Sequence, residues 1–248
     1  CSRRNRPAAK GQTVLNVIRT ARTAGVLYLI ITAAAIVAHF YVPDALFVAG
    51  DSAATVSNIA SSPSTLHLAI ASELIILLSE TILSVLLYLL LRPVNNALAL
   101  VAAVARLVMT AIHGINLLNY FFVLLISGAT GIASGFEPAG QHALVELFLE
   151  GHSYGFTIGV VFLSLHAVLL GYLILRSGYL PMVLGILFLI ASAGYLIDST
   201  ALLFMPTYET TPGYIAAPIA IAELAFPIWL LIKGVNLRKW EERVAANA

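Results

Sequence analysis

Residues 66–91 read LHLAIASELIILLSETILSVLLYLLL and end at Arg92-Pro93. At 1.5 Å per residue this run makes a helix about 39 Å long, enough to cross the roughly 30 Å hydrocarbon core of a bilayer. Its only Asp, Glu, Lys or Arg residues are Glu73 and Glu80, seven positions apart and therefore on nearly the same face. The run decides the class: a transmembrane helix that carries two acids into lipid.

Five further runs of comparable character accompany it, at 24–42, 97–126, 153–175, 182–204 and 214–233. Together they fill the 248 residues and leave no room for a soluble domain. Composition agrees, because charged residues make up only 10% of the chain and hydrophobic ones 60%, with mean hydropathy +0.95. A soluble fold so poor in charge would expose apolar surface to water, whereas a bilayer solvates it. The formal net charge of +1 gives no footprint for nucleic acid, and the single cysteine, Cys1, excludes an intramolecular disulfide framework. The expected fold class is all-α, a polytopic integral membrane bundle of six helices.

Lys and Arg are retained on the cytoplasmic side during insertion. With six spans, Arg3, Arg4, Arg6, Lys10, Arg19, Arg22, Arg92, Arg176, Lys233, Arg238, Lys239 and Arg243 all fall on one side, and only Arg106 lies inside a span. Segments 43–65, 127–152 and 205–213 hold Asp44, Asp51, Glu137, Glu146, Glu150 and Glu209 and no Lys or Arg. One helix more or fewer would scramble this separation. Both termini are therefore expected in the cytoplasm. The expected organisation is a basic N-terminal segment over 1–23, a six-helix domain over 24–235 and a cytoplasmic tail over 236–248.

No secretory h-region precedes span one, so that span is expected to be retained. Cys1 in place of Met points to a processed start; lipidation there would put the basic segment outside, against the charge rule. Residues 13–23 read as an interfacial amphipathic helix leading into span one. Two acidic-side segments read as short helices lying along the outer surface: 51–59, which opens on Asp51 as a cap, and 138–150, with Leu144, Leu147 and Phe148 on one face.

Charged groups in hydrocarbon cost about 2.5–3.5 kcal/mol on insertion scales, so each needs a partner or water. The spans hold Glu73, Glu80, Arg106, Asp198 and Glu223, joined by His113 and His166. Counting from the basic ends places Glu80, Arg106, His166 and Glu223 at roughly 15–18 Å, one layer near the midplane. Glu73, His113 and Asp198 fall at roughly 25–29 Å, an outer layer. The short turn at 92–95 makes spans two and three an antiparallel hairpin in which Glu80 and Arg106 can meet. One arginine cannot neutralise all the acids, so the surplus must be protonated, hydrated, cation-bound or paired with His113 or His166.

A metal site built from His113, Asp198 and Glu73 is a weaker alternative, since no H-E-x-x-H spacing occurs. Haem is disfavoured because His113 and His166 differ in depth by roughly 12 Å. No serine lies in a G-x-S-x-G or S-x-x-K setting. Tyr28, Tyr88, Tyr172, Tyr179, Tyr214, Trp229 and Trp240 sit near span ends as an aromatic belt would. Pro218 and Pro227 are expected to kink span six and free carbonyls near Glu223.

Seven stretches in order carry a resemblance: 19–28 (RTARTAGVLY), 50–55 (GDSAAT), 90–95 (LLRPVN), 114–119 (GINLLN), 176–181 (RSGYLP), 194–199 (GYLIDS), and Glu223 followed by WLLIKG at 229–234. Together they resemble the bacterial membrane family catalogued as domain of unknown function 4386, over about residues 19–235. The resemblance implies a multi-pass inner-membrane protein without an established activity, so no catalytic residue is carried over. Acids at Glu73, Asp198 and Glu223 and the arginine at Arg106 resemble the family pattern; His113 has no matched counterpart.

Three functional readings follow. The first is a non-enzymatic protein whose interior, lined by Glu73, Glu80, Arg106, Asp198 and Glu223, binds or conducts a small cation, a proton or an amphiphile. The second is an intramembrane, metal-assisted hydrolase acting on lipid through His113, Asp198 and Glu73. The third is a structural or assembly subunit whose ion pairs fix packing. The expected partners are the lipid bilayer and a small cation or amphiphilic ligand, with no nucleic acid and no cofactor.

Overall fold

A computed structural model describes residues 6–128, 135–208 and 210–246, with side chains from Asn16 onward. Cys1, Arg3, Arg4, Glu209 and the side chains of Arg6 and Lys10 lie outside the described residues. The elements are α1 (Arg6–Ile36), a π-helical turn (Val37–Tyr41), α2 (Val42–Leu46), α3 (Ser52–Ser61), α4 (Pro63–Leu91), α5 (Asn96–Asn116), α6 (Leu118–Ser127), α7 (Pro138–Ser177), α8 (Met182–Phe204), α9 (Gly213–Ile232) and α10 (Leu237–Ala246). No strand occurs among the described residues. Six stretches are long and apolar enough to cross a membrane: Asn16–Leu46, Pro63–Leu91, Asn96–Ser127, Pro138–Ser177, Met182–Phe204 and Gly213–Ile232. The chain is an all-α, multi-pass membrane protein.

The helices depart from the sequence expectation at three places. Residues 13–23 are not a separate interfacial helix but part of α1, which runs unbroken because no proline interrupts it after its first turn and Val17, Ala21, Ala24 and Tyr28 bury one continuous face. Segment 138–150 is likewise not a detached surface helix; it is the start of the 40-residue α7, anchored by the fully buried Val145. Span three breaks at Leu117 into α5 and α6. There the Asn119 side-chain amide donates to the Asn116 carbonyl at 3.1 Å, a side chain taking over main-chain bonding as asparagines do. By contrast, the short helix expected over 51–59 is present as α3, with Asp51 accepting from the Ala54 amide at 2.8 Å.

The chain divides into two compact units. The first comprises Cys1–Leu29, Glu80–Val108 and Val160–Ala248. Its α7 and α8 touch main chain to main chain: a Cβ placed on Gly171 would lie 2.8 Å from the Gly185 carbonyl oxygen, and one on Gly185 would lie 2.8 Å from that of Gly171. Small residues allow such backbone approach in lipid, where dispersion and not hydrophobicity holds helices together. At one end of this unit the Tyr179 hydroxyl and the Trp240 indole both donate to the Leu90 carbonyl, at 2.7 and 3.3 Å. Burial holds the Tyr179 phenol well above its ordinary range against the opposing pull of Arg243.

The second unit comprises Ile30–Ser79 and Met109–Gly159. Val42, Leu46, Ile59, Leu66, Ile70, Leu117, Tyr120, Val123 and Val145 form its apolar core. It contains Asp44, Asp51, Glu73, Glu137, Glu146 and Glu150, five of the six histidines, and no Lys or Arg.

Candidate functional site

The polar side chains expected in the spans are shared between the two units. In the first unit Glu80 on α4 and Arg106 on α5 pair side-on: Nε donates to Glu80 Oε2 and Nη2 donates to Oε1 at 2.9 Å. The remaining terminal nitrogen, Nη1, donates to the Tyr28 hydroxyl at 2.9 Å and lies 3.0 Å from His166 Nε2. His166 Nδ1 lies 2.9 Å from the Ala102 carbonyl. A carbonyl only accepts, so Nδ1 carries the proton and Nε2 is free to accept from the guanidinium. The guanidinium carbon also stands 4.8 Å from the Tyr28 ring centroid. Arg106 is 2% exposed and Glu80 4%, so the pair is shielded from bulk solvent. A cavity of about 10 Å³ beside His166 has room for one water at most.

Glu223 on α9 is half-buried and accepts from the Tyr195 hydroxyl of α8 at 3.0 Å, within electrostatic reach of Arg106. Pro227 lacks the amide that would bond the Glu223 carbonyl four residues back, as expected of a proline inside a helix. The midplane grouping thus has Glu80, Arg106, His166 and Glu223 in one unit. Tyr28 completes it. Its reading as a belt residue is corrected, since it is 1% exposed and bonded to the arginine. Tyr179 leaves the belt for the same reason, being 3% exposed.

The residues of the outer layer belong to different units. Asp198 belongs to the first unit, where its carboxylate accepts from Tyr208 at 2.5 Å and Thr211 at 2.9 Å. Glu73 and His113 belong to the second. Among the described residues no three His, Cys, Asp or Glu side chains are placed to hold a metal ion, and His113, Asp198 and Glu73 are not such a set.

Around Glu73 the second unit gathers His39, His113 and His152, which the sequence places on the same side of the spans as that acid. His39, on the π turn, places Nε2 at 3.3 Å from Glu73 Oε1. The contact lacks hydrogen-bond geometry, and Oε1 is buried without a hydrogen-bond partner. The Phe156 ring of α7 packs on both His39 and His113, at centroid distances of 4.7 and 4.8 Å, and His113 Nε2 lies 3.1 Å from the Phe156 carbonyl. His152 stacks on Tyr120 at 3.8 Å, and its carbonyl accepts from the Asn116 amide at 2.8 Å. The four-residue spacing of Gly151, Gly155 and Gly159 on α7 was the signal available for this packing: a Cβ on Gly155 or Gly159 would lie 2.0 Å from Asn116 Oδ1 or 2.1 Å from His113 Nε2.

This packing makes a prediction. A Cβ on Gly155 also falls 3.2 Å from the Asn116 Cβ, so rotating the asparagine gives little relief. Gly155→Ala should therefore lower stability by about 1–3 kcal/mol, from overpacking and the strained Asn116 bond. Gly140→Ala, whose nearest new neighbours are 3.9 Å away, should stay within about 0.5 kcal/mol of the parent in the same detergent melts.

His39 also lines a cavity of about 550 Å³ in the second unit. Asp44, Asp51, Glu146 and Glu150 stand in its wall with Phe40, Phe47, Val145 and Leu149, and no Lys or Arg does.

The family model described as "Domain of unknown function (DUF4386)" matches residues 23–234. An "Uncharacterized protein" of Archaeoglobus fulgidus is 31% identical over 173 residues, covering 70% of this chain and 87% of its own. No solved structure matches.

Proposed function

The chain belongs to the DUF4386 family, and from that premise we propose that it binds an organic cation or cationic amphiphile in the cavity beside His39. The observation that carries this reading is the charge of the second unit: six acids and no Lys or Arg, with four of those acids in the cavity wall. Carboxylates that meet no fixed cation in their own unit attract one from outside, and an anion would meet only repulsion. The aromatic and aliphatic wall suits the apolar body of such a ligand, with ring faces available to its charge. The volume falls in the range of about 300–1,000 Å³ typical of small-molecule sites.

The arginine network serves a different purpose in this proposal. Every guanidinium nitrogen already has a partner, so Glu80, Arg106, His166 and Tyr28 fix the packing of their helices and leave ligand binding to the second unit. We place the protein in the cytoplasmic membrane with both termini in the cytoplasm. The support is the separation of Lys and Arg from the acids of 43–65 and 127–152.

The test is calorimetric titration of the purified protein with tetraphenylphosphonium, a lipophilic cation. Saturable binding should weaken with salt and fall about tenfold or more when Glu146→Gln and Glu150→Gln are combined, equivalent to about 1.4 kcal/mol. Absence of saturable binding, or binding indifferent to both changes, would overturn the proposal.

A further inference from the structure

Glu73 is 5% exposed, and its Oε1 has no hydrogen-bond partner. A buried carboxylate in that position is stable only if its charge is compensated. The unit offers no Lys or Arg to do so. The group beside it is His39, whose side chain is 24% exposed and lines the cavity. The other titratable groups in electrostatic reach are His113 from α5, Tyr120 from α6 and His152 from α7. His113 and His152 are stacked on aromatic rings, with His113 also bonded to a main-chain carbonyl. His39 both touches the buried acid and borders open volume.

We propose that Glu73 and His39 form a proton-binding pair that exchanges its proton through the cavity. With one proton the pair is neutral overall in either arrangement: a carboxylic acid at Oε1 beside neutral imidazole, or a carboxylate beside imidazolium. Moving between them transfers one proton across the gap between Oε1 and Nε2, and a small turn of the imidazole ring brings the two atoms into hydrogen-bond geometry. Release follows from the imidazolium arrangement, when His39 gives its proton to water in the cavity and leaves the pair with one negative charge. A cation in the cavity then supplies the missing positive charge. Proton and cation are thus alternative answers to the same deficit, and each lowers the affinity of the other by the same factor. This coupling rests on the cavity reading above; the proton site does not.

Infrared spectra of the full-length protein, collected with no ligand while pH is varied between about 5 and 8, test the site directly. A protonated carboxyl stretch should change together with imidazole bands. Glu73→Gln should remove the carboxyl signal, and His39→Gln should decouple it from pH across this range. Should Glu73→Gln fail to fold, the His39→Gln spectrum still decides. A carboxyl spectrum identical in the parent and in whichever of the two variants folds overturns the pair. Calorimetry in buffers of different ionisation enthalpy then reads the coupling: about one proton released per tetraphenylphosphonium bound, so that affinity rises up to about tenfold per pH unit, and none released in Glu73→Gln. Cation binding without proton release overturns the coupling, whereas a carboxyl signal without cation binding overturns the cavity reading alone.

Discussion

Arg106→Ala is expected to destabilise the detergent-solubilised protein by about 3–5 kcal/mol, because it strands the Glu80 carboxylate in a site shielded from bulk solvent. The loss spreads beyond that pair. Tyr28 loses its charged partner, and His166 keeps Nε2 pointed at a cavity, its ring still held by Ala102. Arg106→Lys should recover little, since a single ammonium cannot grip both Glu80 oxygens while also reaching Tyr28 and His166. Combining Glu80→Gln with Arg106→Gln should restore most of the stability, because two neutral amides leave no unpaired charge. Thermal melts of these three variants beside the parent check this. A double variant as unstable as Arg106→Ala would mean that the other partners of the guanidinium, not the ion pair, carry the energy.

Gly171→Leu is expected to have an effect of similar size by a different route. The two nearest atoms that would meet a Cβ at Gly171 are the Gly185 carbonyl oxygen at 2.8 Å and the Leu189 amide nitrogen at 3.0 Å, both main chain, with the Leu189 side chain next at 3.1 Å. No rotamer change relieves contact with backbone, so α7 and α8 must separate and forfeit the dispersion contacts along their crossing. Gly171→Ala alone should cost about 1–3 kcal/mol, and leucine more than alanine. Gly185→Ala added to Gly171→Ala should cost less than the sum of the singles, because the first methyl has already parted the helices. Unfolding measured in the same micelles gives all of these terms, and strict additivity would show that the two glycines do not share one crossing.

These two sites also show what a sequence can and cannot disclose. Glu80, Arg106 and His166 were legible as a group because a short turn joins spans two and three and all three residues stand at a similar distance from the basic ends. Asp198 was aligned with Glu73 and His113 by distance along a helix, which says nothing about rotation around it; its carboxylate accepts from Tyr208 and Thr211. Tyr28 and Tyr179 look like interfacial aromatics in any linear reading, and only their hydroxyl partners reveal them as buried donors or acceptors. The contact between His39 and Glu73 is not set by regular helical phase, because His39 lies on a π turn, where that phase no longer applies. The six spans were legible because length and apolarity are additive along the chain, and such properties survive ignorance of every angle.

The cavity beside His39 has two unlike walls. Glu146, Leu149 and Glu150 belong to α7, a helix of 40 residues with no proline after its first position and no break. The facing residues come from a chain interrupted by the π turn, Pro43, extended Phe47 and Gly50 with φ of +75°. Bending is concentrated where main-chain hydrogen bonds are irregular or missing. Any widening of the mouth to admit a guest therefore falls on the jointed side, with α7 as the doorpost against which it swings.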